Sequence, residues 1–142
     1  MVDRSYSYNM LVPMAGKGCR FKDAGYTLPK LLLDINGKPM IAYSIEAAIK
    51  SECFDRVIVS TDDQEIASIA IEHGAEVPFM RPEELANDHA GTLAVIKQAI
   101  EWFDENDAIP TEVCCLYATA PFVQPESLQN AYQQLQNTQA DY

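Results

Sequence analysis

Six consecutive residues, Ala15-Gly16-Lys17-Gly18-Cys19-Arg20, interrupt an apolar run that spans Met10 to Met14, and a second cation, Lys30, follows Pro29. Residues without bulk let backbone N–H groups approach an anion closely, so such a loop can wrap a polyphosphate. A guanidinium and an ammonium beside it can neutralise charge that builds on phosphates during reaction. Arg20 and Lys30 are therefore the candidate catalytic residues. Ala15, Gly16, Lys17 and Gly18 are candidate nucleotide contacts. Two other phosphate-loop chemistries fit less well. The stretch AGKGCR lacks the spacing of the P-loop of kinases and ATPases. The dinucleotide pattern GxGxxG fails at Phe21, and the loop runs into Pro29-Lys30 instead of opening a helix.

The elements that must hold this loop follow from periodicity. Short apolar runs alternate with amphipathic stretches, which predicts an α/β fold with a mainly parallel, Rossmann-like sheet and helices on both faces. Residues 1–8 read as a loose tail before a strand over Met10 to Met14. An extended piece, Leu31 to Ile35, ends at the turn Asn36-Gly37. Pro39 opens a helix with Ile41, Ile45, Ala48 and Ile49 on one face. Arg56 to Ser60 is the second strand. Asp62 caps the next helix, whose apolar face carries Ile66, Ile69 and Ala70 and which stops at Gly74. A third strand covers Glu76 to Met80. After the loop from Arg81 to Ala90 comes a helix with Leu93, Ile96, Ile100 and Phe103 aligned. Val113 to Tyr117 is the fourth strand, and Pro125 starts a last helix on Leu128, Ala131, Tyr132 and Leu135. In such sheets ligands bind over the C-terminal strand edge. The 15–30 loop, the region after Ser60 and the 118–121 turn should meet there.

Bulk properties bound the function. The 142 residues make one domain with enough length for a core, and 48% hydrophobic with 22% charged residues describes a globular chain. No apolar run reaches membrane-spanning length and the N-terminus has no signal-peptide anatomy, so the expected location is the cytoplasm. A net charge of −11 argues against nucleic acid or anionic membrane as partner. Yet five of the ten basic residues, Lys17, Arg20, Lys22, Lys30 and Lys38, lie around the glycines. An acidic protein that gathers positive charge there is suited to a small anion. Lys22 and Lys38 are better read as solvated lysines. The four cysteines, Cys19, Cys53, Cys114 and Cys115, show no zinc spacing and are expected reduced. Neither His73 nor His89 has a nucleophile partner in the sequence.

Gly16, Gly18, Arg20, Pro29 and Lys30 resemble the signature loop of nucleotidyltransferases that join an NTP to a sugar and release pyrophosphate. The resemblance continues through Gly37-Lys38-Pro39-Met40, Val57-Ile58-Val59-Ser60-Thr61-Asp62-Asp63, and Arg81-Pro82-Glu83-Glu84-Leu85-Ala86 with Asp88, Gly91 and Thr92. These motifs are similar to the CMP-acylneuraminate synthetases. Cys114 to Phe122 is most similar to the branch that activates pseudaminic acid.

The resemblance implies a nucleotide-diphospho-sugar transferase fold, transfer of CMP from CTP to an acidic sugar, Mg²⁺ as cofactor, and a homodimer in the full-length form. It implies that Arg81 and Thr92 contact the cytidine nucleotide. Read alone, Arg81 is a loop residue and Thr92 a helix cap. Thr119, with Pro121, is expected to shape the crevice floor, and Tyr117 to flank the base or fill core. Asp62 and Asp63 could hold Mg²⁺, but capping alone accounts for Asp62. Against the family pattern, the chain stops before the sugar-binding and dimerising region that carries the metal-binding aspartates, so the fold is expected to be incomplete at its C-terminus. The loop is also less basic than in the acylneuraminate branch. A hexose-1-phosphate nucleotidyltransferase using UTP or dTTP, and a nucleotide-binding fragment without catalysis, therefore stand as alternatives.

Overall fold

A computed structural model describes residues 29–85 and 91–140, the isolated Gly25, and the backbone of 8–13. Its centre is β1 (Tyr8–Pro13), flanked in parallel by β4 (Arg56–Ser60) and β5 (Glu112–Cys115). Leu11 stands opposite Ile58 on one side and Cys115 on the other. The first strand thus begins at Tyr8, inside the segment expected to be tail. The second strand has the expected bounds because Val57, Ile58 and Val59 are β-branched and buried.

Strand alternation divides the core between two layers. Val57 and Val59 face α1 (Met40–Ser51), α2 (Gln64–Glu72) and α4 (Pro125–Thr138), where they pack with Ile41, Ile45, Ile66, Ala70 and Leu128. Ile58 faces the opposite way, against Ala99 and Phe103 of α3 (Thr92–Glu105). Helices therefore cover both faces. Each fully buried Val or Ile contributes about 1.5–3 kcal/mol.

Several expected elements differ, each for a physical reason. Leu31 and Leu32 are not extended; Lys30–Leu32 forms a 3-10 turn whose two leucines are buried. The following residues make a hairpin of β2 (Asp34–Ile35) and β3 (Lys38–Pro39). Its two-residue loop has Asn36 at φ 52° and Gly37 at φ 87°, the paired positive values that a type I′ turn demands. Pro39 sits in extended backbone as the N-cap of α1, and not inside it. Ile49, at the far end of that helix, is exposed. The cap of α2 is Asp63, not Asp62: its Oδ1 accepts from the amides of Glu65 at 2.8 Å and Ile66 at 3.1 Å.

The third strand reduces to one bridge, Ile58 to Glu76. The Glu76 amide donates to Val57 and its carbonyl accepts from Val59. The next donor along that edge falls at residue 78, and Pro78 has none. In α3 the buried row is Val95, Ala99 and Phe103, while Leu93 is 82% exposed and Ile100 is also exposed. Of the expected row, Phe103 is buried and Ile96 packs against the Ile58 cluster, so the helix is rotated toward the small Ala99 and away from Leu93 and Ile100. Ala131 in α4 is exposed. Leu116 and Tyr117 lie beyond the end of β5.

Candidate active site

The C-terminal ends of the three strands converge by register. Pro13, the last residue of β1, pairs with Ser60, the last of β4. Ala15, Gly16, Lys17, Gly18 and Arg20 lie outside the described residues. Lys30 is described: it opens the 3-10 turn, exposed, while Leu31 and Leu32 anchor the backbone beneath it. The two buried leucines thus hold the backbone from which the Lys30 ammonium extends.

Arg81 is drawn to the same strand end. It is 5% exposed. Its backbone amide donates to the Thr61 carbonyl at 2.9 Å. Nε donates to Ser60 Oγ at 3.2 Å and an Nη to the Ser60 carbonyl at 2.7 Å. Burial pushes the guanidinium pKa down, and the nearby Asp62 charge opposes that shift. Isolated burial of such a cation would cost several kcal/mol, so these bonds are a condition of its placement. Because Asp63 takes the cap, Asp62 is left to balance Arg81. Ser60 as Arg81's partner had no signal in the sequence beyond its place at a strand end.

Thr92 is the first residue of α3. The cap position belongs to Gly91, which has no side chain to offer, so Thr92 is not the cap. Its hydroxyl instead lies 2.6 Å from the hydroxyl of Tyr117. Tyr117 is 53% exposed and fills no core. Thr119 is exposed in the turn that follows, which closes when the Ala120 amide donates to the Tyr117 carbonyl at 3.2 Å. Ala118 is buried beneath that turn. Thr92 and Tyr117 thus form one group, with Thr119 two positions along the same turn, and Arg81 with Ser60 and Asp62 another.

Other expected groups resolve differently. Lys38 is no free lysine: its Nζ is 2.6 Å from Glu46 and 5.4 Å from the centre of the Tyr43 ring. Cys53, Cys114 and Cys115 are thiols outside any disulfide, and burial raises the Cys115 pKa. Among the described residues, no three His, Cys, Asp or Glu side chains gather to hold a metal ion. No described helix is long and apolar enough to cross a membrane.

Comparison with known proteins bears on the fold and the family. The chain is 42% identical over 113 residues to a pseudaminic acid cytidylyltransferase of Campylobacter jejuni, covering 80% of this chain and 49% of that protein. It is 38% identical over 95 residues to a CMP-N,N'-diacetyllegionaminic acid synthase of Legionella pneumophila, covering 67% of this chain and 41% of that one. The chain thus spans about half the length of these relatives, or less. Among solved structures, a CMP:2-keto-3-deoxy-manno-octonic acid synthetase complexed with CTP superimposes with a TM-score of 0.70 at 24% identity, over 94% of this chain and 49% of that one. The fold is therefore that of the α/β nucleotidyltransferases. Residues 28–142, which contain Lys30, Arg81, Thr92 and Thr119, match the cytidylyltransferase family, and the chain belongs to it.

Proposed function

We propose that this chain forms the nucleotide-binding part of an enzyme that transfers CMP from CTP to an acidic nine-carbon sugar of the pseudaminic type. The observation that carries this is the 42% identity, over 80% of the chain, to a protein described as a pseudaminic acid cytidylyltransferase. A sugar hydroxyl oxygen attacks the α-phosphorus. The new O–P bond forms as the bond to the bridging oxygen breaks, pyrophosphate leaves, and the hydroxyl proton is lost.

The side chains act by positioning and charge stabilisation, as suits phosphoryl chemistry. The 15–20 loop cradles the triphosphate, and Arg20 and Lys30 offset charge on the departing pyrophosphate. Arg81, Thr92 and Thr119 hold the nucleoside side. Arg81 suits recognition because Ser60 restricts the direction of its planar fork. A divalent cation such as Mg²⁺, when bound, would supply positive charge that stabilises the departing pyrophosphate. The described carboxylates do not by themselves assemble a site for it.

The test is pyrophosphate release by the protein supplied with CTP, Mg²⁺ and pseudaminic acid, beside sialic acid. Release that depends on CTP and the sugar together is expected. Release with UTP or dTTP and a hexose 1-phosphate, but not with CTP, would replace the proposed substrates. Saturable CTP binding without turnover would mark a binding unit.

A further inference from the structure

We propose that Tyr117 is a positioning residue, which fixes the hydroxyl of Thr92 as a hydrogen-bond donor toward an acceptor atom of the bound cytidine nucleotide. This rests on the nucleotide-binding role proposed above for Thr92. The two hydroxyl oxygens lie 2.6 Å apart across 25 positions of sequence, so the pair exists only because the fold brings the end of β5 to the start of α3. The Thr92 hydroxyl is not spent on its own helix, since Gly91 holds the cap position. A tyrosine kept only for packing would bury its ring, and this one is more than half exposed.

Proton chemistry gives the pair a direction. A phenol, with a pKa near 10, is a far stronger acid than an aliphatic hydroxyl, so Tyr117 O–H is the better donor and Thr92 Oγ1 the acceptor. Thr92 then has its own proton free to point elsewhere, and a hydroxyl that accepts one hydrogen bond donates a stronger one. Without the phenol oxygen, Thr92 can turn between its staggered positions and its proton has no fixed aim. Because the pair lies at the surface, water can replace either partner. Its loss therefore costs little folding stability and falls on ligand binding.

The experiment is calorimetric titration of CTP into the wild-type protein and into Tyr117→Phe, Thr92→Val, Thr92→Ser and the Tyr117→Phe/Thr92→Val double variant, with thermal unfolding of each. Tyr117→Phe and Thr92→Val should each weaken CTP binding about three- to tenfold. The double variant should bind no more weakly than Thr92→Val alone, Thr92→Ser should recover most of the affinity, and the unfolding midpoint of Tyr117→Phe should match the wild type. Wild-type affinity in Tyr117→Phe overturns the proposal and leaves the nucleotide-binding role standing. Losses that add in the double variant, or a fall in midpoint that parallels the loss of affinity, overturn it as well. A wild type that binds no CTP overturns that role and this inference together.

Discussion

Arg81 and its partner Ser60 show what side chains at a strand end can do. A guanidinium out of water is tolerated here because Ser60 accepts from it twice and Asp62 lies near. Arg81→Ala should cost about 2–4 kcal/mol in urea unfolding, because it removes charge-assisted bonds and leaves buried acceptors unmet. Arg81→Lys should recover only part, since an ammonium cannot span Ser60 Oγ and the Ser60 carbonyl as a rigid fork does. A lysine variant as stable as the wild type would show that charge alone matters. Arg81 and Thr92 could be singled out from the sequence by the motifs around them. Their pairing with Ser60 and Tyr117 could not be read there, because Ser60 and Arg81 are 21 positions apart and Thr92 and Tyr117 are 25. Only the fold makes those pairs neighbours.

Caps, turns and missing donors set the elements. Asp63→Ala should cost about 1 kcal/mol and speed hydrogen exchange at the amides of Glu65 and Ile66. Asp62→Asn should leave that exchange slow. The reverse result would return the cap to Asp62. Gly74 has φ +97°, and an added Cβ would stand 2.9 Å from Ile49 Cδ1. That methyl ends a flexible, exposed side chain and can swing aside, so backbone strain should dominate the cost of Gly74→Ala, at about 1–2 kcal/mol. Pairing it with Ile49→Ala should rescue nothing. A recovery of stability in the double variant would identify a clash instead. Strand β4, the Asn36-Gly37 turn and the start of α4 at Pro125 were legible because each depends on local chemistry: β-branched residues, paired positive φ and a residue without an N–H. The 76–80 segment misled because its apolar composition suits a strand while Pro78 withholds a donor. In α3 the apolar residues span a wide face: Ile96 and Phe103 meet the sheet while Leu93 and Ile100 do not, and periodicity cannot tell how far round that face the contact reaches.

At the scale of the molecule, charge is sorted by sign. One ion pair, Lys38 with Glu46, joins β3 to α1, and His73 at the end of α2 stands 3.8 Å from the same carboxylate. The hydrogen bond from Lys38 holds the Glu46 pKa below the ordinary glutamate value and raises that of Lys38. For a carboxylate with a lowered folded pKa, the stabilisation is present above the unfolded pKa and is lost as pH falls through the folded one. For the raised lysine it is present below the unfolded pKa and lost as pH rises through the folded one. Lys38→Met should therefore lower the unfolding midpoint near pH 7 and have little effect at about pH 3. An equal loss at both would assign the effect to packing on Tyr43. Apart from Lys38, four basic residues, Lys17, Arg20, Lys22 and Lys30, lie in the sequence around the glycines, which is where the proposed triphosphate cradle needs them. The most direct measurement is calorimetric titration of CTP and of CMP into the wild type and an Arg20→Met/Lys30→Met variant. A triphosphate cradle predicts that the wild type prefers CTP and that the double variant loses this preference, with CTP affinity falling about 10- to 100-fold. Unchanged CTP affinity in the variant would contradict it.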